Sequence, residues 1–166
     1  MNTPARPPLA LPATAGPVIA EEVRRFGQRY VETGGFFLAP QGQGTMTVVA
    51  FAGQAGITRQ RLLFQVSALA LDQLFGFAGQ RACWVPAQFH SHAAGASLSF
   101  TDQQHGLRVS GFTSAVIPRF ADPPAGVAAW GWWQFSSEVW TPCQPPQMEG
   151  REVEVVVFDE EGVRGQ

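Results

Sequence analysis

The apolar residues of this 166-residue chain change their spacing several times, and each change marks an element. Ile19, Val23, Phe26 and Tyr30 recur at intervals of 4, 3 and 4, the stripe of an amphipathic helix; with Pro17 suited to a first turn, the spacing predicts a helix over 17–31. Thr33-Gly34-Gly35 stops it. Apolar runs at 36–39 and 45–51 flank the turn-forming segment 40–44 and predict a β-hairpin. A third strand is expected over 61–66. Leu69, Leu71, Leu74, Phe75 and Ala78 then share a helical face that Gly79 closes. Residues 84–92 read as extended, 99–106 as a short helix, and 107–118, 131–135 and 153–158 as strands. Pro123-Pro124 and Pro145-Pro146 mark loops, and no period recurs. The order is mixed, which predicts an α+β class.

Composition narrows this to one domain. Apolar residues make up 45% and charged residues 14%, which excludes a solvated, disordered chain, and no apolar run approaches the roughly 18 residues of a membrane helix. Residues 1–16 are rich in Pro and Ala and are expected to stay outside the fold, leaving 17–166 as the domain. The 11 cationic residues are all Arg and the net charge is -2, so no basic stripe exists to bind nucleic acid. Cys83 and Cys143 lack the CxxC spacing of a structural zinc site and are too few for a disulfide scaffold. With no continuous apolar signal segment near the N-terminus, the expected location is cytoplasmic.

The chemistry concentrates in Phe89-His90-Ser91-His92 and, after a run of small residues, Ser99-Phe100-Thr101-Asp102. Residues i and i+2 of a strand share a face, so His90 and His92 present both imidazoles to one ion while Ser91 turns away. Asp102 supplies a third ligand. Three protein ligands plus a water is the pattern of an open catalytic zinc site, and two nitrogens with one oxygen suit zinc best among common ions, with iron and manganese still open on ligand type alone. A hydrolase also needs a group to take a proton and return it to the leaving amine, and Glu32 is the candidate.

Glu32-Thr33-Gly34-Gly35-Phe36, the HxH pair and Ser99-x-x-Asp102 resemble the signature of the JAB/MPN/Mov34 (JAMM) metalloproteases, in their prokaryotic JAB type, over about residues 18–158. The resemblance implies a single MPN/JAB-like, cytidine deaminase-like domain with a mixed central sheet flanked by helices. It implies Glu32 as general base and acid, zinc on His90, His92 and Asp102, and Ser99 as hydrogen-bond donor to the oxyanion. The activity implied is zinc-dependent hydrolysis of the bond after the C-terminus of a ubiquitin-like modifier, with that modifier, its conjugates and the pathway's activating and conjugating enzymes as partners. The chain departs from the family in having Ala93 in place of the usual Pro, and its His92-to-Asp102 step is one residue shorter, a difference that either is absorbed by Gly95 or shifts the Asp102 carboxylate from coordination distance.

Each feature has a plainer counterpart. Ser99-x-x-Asp102 is also a helix capping box, HxH is often incidental, and Glu32 alone reads as the solvated end of a helix. His105, three residues past Asp102, reads as a surface histidine or as a neighbour of the metal. Gly34-Gly35 fits close packing better than phosphate cradling, and Trp130, Trp132, Trp133 and Trp140 predict a strand pair with one buried face. Two rival functions remain at this stage: a catalytically silent MPN-type scaffold, and a zinc hydrolase of a small-molecule or sulfur-carrier conjugate. The absence of lysine reads as a coding bias or as avoidance of becoming a conjugation target.

Overall fold

The computed structural model describes residues 5–166. In chain order the elements are β1 (Ala10–Pro12), α1 (Ala15–Gly27), β2 (Gly34–Pro40), β3 (Val48–Ala52), β4 (Ile57–Gln60), β5 (Leu63–Val66), α2 (Ala68–Gln80) and β6 (Cys83–Ser91). There follow α3 (Phe100–His105), β7 (Thr113–Ile117), β8 (Gly131–Ser136), β9 (Val139–Pro142), β10 (Gln147–Glu149), β11 (Glu154–Asp159) and β12 (Gly162–Gly165). Eight strands form one sheet in the order β12-β11-β3-β2-β6-β7-β8-β9. The β11–β3 and β6–β7 pairs are parallel and the others antiparallel, so the sheet is mixed, as the α+β reading expects.

The alternation of side chains in β2 and β3 divides the core. Phe37, Ala39, Val49 and Phe51 point to the face covered by α1, where Ala15, Ile19 and Val23 pack on them. Phe36, Leu38, Val48 and Ala50 point to the opposite face, covered by Ala70, Leu74 and Ala78 of α2. Strands covered on both faces need apolar residues at every position, and β3 and β7 are buried throughout. The tryptophans extend this core: Trp130 stacks on Trp132, whose ring stacks on Phe37, and Trp130, Trp132 and Trp133 each donate to a backbone carbonyl.

Several boundaries differ from the sequence reading. The leader assigned to 1–16 joins the fold from Ala10: β1 pairs in parallel with β10, and Leu11 is 0% exposed. Two leucines flanking Ala10 bury enough surface to order a stretch whose proline content alone suggests disorder; residues 1–4 lie outside the described residues. The first helix begins at Ala15, where Pro17 falls among the first four residues and costs no intrahelical bond. It ends at Gly27, not at 31, and Tyr30 leaves the stripe with φ 60 and 71% exposure. Gly79 lies inside α2, which runs on to Gln80. Strands β1, β4, β9, β10 and β12 are additional, and the strand expected over 61–66 is the second arm of a β4–β5 hairpin turning at Arg61-Leu62.

Candidate metal centre

The centre forms where β2 and β6 meet the loop before α3. Gly34 pairs with His90 in the antiparallel β2–β6 ladder. One step further Ser91 brackets Thr33: its N–H donates to the Thr33 carbonyl at 2.9 Å, and its Oγ accepts from the Thr33 N–H at 3.0 Å. One residue further, Glu32 leaves the ladder, its N–H turning to Gln60, and its carboxyl feels the charges of His92 and Asp102. Ser91 points away from the imidazoles, as a period of two requires. Gly34 and Gly35 are needed for close packing, since a Cβ on either would collide with the backbone carbonyl of Phe89 or Ala50.

The loop from His92 to α3 is held by its neighbours. The His92 carbonyl accepts from the Phe120 N–H at 3.0 Å, the Ala94 carbonyl from Arg119 N–H at 3.2 Å, and the Ala96 carbonyl from Trp133 Nε1 at 3.2 Å. Gly95 does not adopt a positive φ, so the shortened loop is accommodated by these anchors and not by glycine's freedom. Ser99 caps α3: its Oγ accepts from the Asp102 N–H at 3.0 Å, and the Ser99 N–H donates to Asp102 Oδ2 at 2.8 Å. The capping box is therefore real, and it is also what aims the carboxylate.

That carboxylate meets both histidines. His90 Nε2 lies 3.1 Å and His92 Nε2 2.9 Å from Asp102 Oδ2, and the two Nε2 atoms are 3.0 Å apart. Two imidazole nitrogens facing each other across one carboxylate oxygen share more lone pairs than protons can satisfy, whereas one cation satisfies all three. Donors held tetrahedrally at about 2.0–2.1 Å lie roughly 3.3 Å apart, close to this triangle. The two-nitrogen, one-oxygen set fits zinc, and among the described residues this is the group of His, Cys, Asp and Glu side chains whose ligand atoms converge, within 4.8 Å of one another.

The site's electrostatics separate its acids. Burial pushes the Glu32 carboxyl up from 4.5 to about 7, with His92 opposing the shift and Asp102 adding to it. Burial also works against ionised Asp102, but hydrogen bonds from His90, His92 and the Ser99 backbone outweigh it and hold the carboxyl well below the usual carboxylate range. Burial lowers His92, yet its bond to Asp102 and the charges of Asp102 and Glu32 leave it raised overall. Glu32 is 3% exposed, not the solvated helix end of the plainer reading, and its N–H is fixed to the Gln60 carbonyl at 2.9 Å.

A groove of about 400 Å³ leads to the cluster, a feature the sequence did not disclose. β5 forms one wall, Thr101 and His105 of α3 the other, and Gln88 and His90 line it between them. Because the Ser67 N–H bonds the Gly56 carbonyl and antiparallel pairs alternate, Gln65 and Leu63 bond across to β4. Phe64 and Val66 turn their backbone N–H and C=O outward, where among the described residues they find no backbone partner. Arg59 ties this hairpin to the site, donating from Nε to Thr33 Oγ1 at 3.0 Å and from its terminal nitrogens to the Gly53 and Ala52 carbonyls at 2.6 Å.

Two solved structures share this architecture. A solution structure of a protein from Desulfitobacterium hafniense matches with TM-score 0.62 at 12% identity, over 87% of this chain and 93% of that one. The crystal structure of a JAB1/MPN domain protein from Archaeoglobus fulgidus matches with TM-score 0.52 at 13% identity, over 85% of this chain and 100% of that one. At such identities the likeness is one of fold, and the fold is MPN/JAB-like. No protein-family model and no curated protein sequence matches the chain. No helix among the described residues is long and apolar enough to cross a membrane.

Proposed function

We propose that this chain is a JAMM-type zinc isopeptidase that hydrolyses the bond following the C-terminus of a ubiquitin-like modifier, either freeing it from an amine or trimming its precursor. The observation that carries this reading is the convergence of His90, His92 and Asp102 on one point, with the buried Glu32 near enough to feel the charges of His92 and Asp102. The MPN/JAB-like fold, met in a JAB1/MPN domain protein, supports it.

His90, His92 and Asp102 would hold the ion. Zinc in such a site lowers the pKa of a water to about 7 and polarises an acyl carbonyl. Glu32, buried beside the cluster, is placed to take a proton from water and pass it to the departing amine. The hydrolysis breaks the acyl C–N bond, adding hydroxyl to the carbonyl carbon and a proton to nitrogen. Ser99 commits a lone pair to the Asp102 N–H, which leaves its hydroxyl proton available to the oxygen on which negative charge develops. The substrate tail would add as a strand to the free edge of β5, bonding Phe64 and Val66, with small residues such as Gly-Gly passing next to the cluster.

Metal analysis of purified protein, combined with cleavage of a ubiquitin-like protein bearing a C-terminal extension, tests this. The native protein should carry about one zinc per chain and cleave. His90→Ala should lose both properties, and Glu32→Gln should keep the metal and lose cleavage. Absence of metal would favour a scaffold, and metal without modifier cleavage would favour a small-molecule or sulfur-carrier conjugate.

A further inference from the structure

The groove has a chemistry that bears on which tail it takes. Phe64 and Val66 of the hairpin and Leu71 of α2 give it an apolar stretch, and Leu107 lies beyond α3. The polar groups between them, such as Gln65 and Gln88, are neutral. Among the described residues the ionisable side chains lining it are His90, Asp102 and His105. Asp102 Oδ2 already meets two imidazoles and the Ser99 N–H. Apart from the metal-ligand candidate Asp102 no acid lines the groove. Glu160, beyond the far end of β5, already accepts from Ser67 Oγ at 2.7 Å, and the hairpin turn preceding β5 carries the exposed Arg61. A lysine or arginine lying against Phe64 and Val66 gives up water with no carboxylate among the residues it covers, whereas an apolar side chain there gains burial.

We infer that the groove selects a C-terminal tail whose residues just upstream of the terminal small pair are uncharged, with apolar side chains turned into it, and discriminates against tails that are basic there. β5 has four residues and a paired strand advances in step with its neighbour, so the selected stretch is about four residues long. The inference rests on the isopeptidase reading for the orientation of the tail, and two readouts keep their failures apart.

The probes are two peptides ending in Gly-Gly, one preceded by Leu-Thr-Val-Thr and one by Leu-Arg-Val-Arg. As Gly-Gly amides they are titrated calorimetrically against the metal-free protein. As Gly-Gly-aminocoumarin conjugates they are offered to the zinc-loaded protein. The neutral tail should bind at least tenfold more tightly, and its kcat/KM should exceed that of the arginine tail by a similar factor, mainly through KM. Gln65→Glu, which places a carboxylate on the wall, should shrink or reverse both ratios. An arginine tail that binds as tightly as the neutral one, or no measurable binding of either, overturns the inference. A neutral tail that binds with the stated preference and is not hydrolysed leaves the inference standing and removes the isopeptidase reading.

Discussion

Glu32 and Asp159 are both carboxylates buried to the same degree, 3% and 1% exposed, and their surroundings treat them in opposite ways. Asp159, at the β11–β12 turn, accepts hydrogen bonds from the Gln54 and Glu161 N–H groups and from both terminal nitrogens of Arg164. These bonds, led by Arg164, hold its carboxyl well below the ordinary value of 3.8 against the cost of burial. Around Glu32 burial dominates, charges of His92 and Asp102 largely oppose each other, and its pKa rises to about 7. Asp159 is satisfied by its neighbours and Glu32 is not, which is the contrast expected if Glu32 has the proton-transfer role proposed for it.

The sharpest way to break this contrast is kinetic. Glu32→Gln should lower turnover by about 10²–10⁴-fold with zinc content unchanged, whereas Asp159→Asn should leave turnover per folded molecule intact; steady-state rates alongside metal analysis decide it. Ser99→Ala comes next. Loss of a donor to the oxyanion predicts a fall of about 10²-fold in kcat, while loss of the cap alone predicts only about 1 kcal/mol of stability. Measuring both quantities separates the two roles.

Stability gives the comparison its opposite signs. Asp159→Asn should destabilise by about 2–3 kcal/mol in urea unfolding at pH 7, since it removes a charged acceptor from four donors. Because the folded pKa of Asp159 is depressed, its contribution is complete above pH 3.8 and is lost as pH falls toward the folded value, so the variant should show a flatter acid limb. Glu32 runs the other way. Its raised pKa means its contribution to the metal-free fold is complete below pH 4.5 and lost as pH rises through about 7. Glu32→Gln should therefore stabilise metal-free protein at pH 8 by about 1–3 kcal/mol; destabilisation there would contradict the contrast.

Much of this was readable along the chain, for identifiable reasons. The stripe Ile19, Val23, Phe26 and the apolar run Phe36–Ala39 are local signals, and they lie in the helix and the strand expected of them. His90 and His92 converge because a strand's period is two, and Ser99 and Asp102 are joined because a capping box spans three residues. What escaped depends on contacts distant in sequence. β1 is ordered by β10, more than a hundred residues away, and composition alone cannot report that. β4 is short and half polar, and it earns its place by pairing with β5 and holding Glu32 through Gln60. The groove belongs to no segment: it exists only once the hairpin and α3 stand on either side of β6.

One oxygen atom, Asp102 Oδ2, serves both as the terminus of a helical turn and as the meeting point of two imidazoles. If the cluster takes an ion as proposed, loading and winding of residues 99–105 are linked equilibria, and each changes the other by the same factor. Chelation should register as faster amide exchange confined to that single turn, giving a signal of occupancy that needs no substrate.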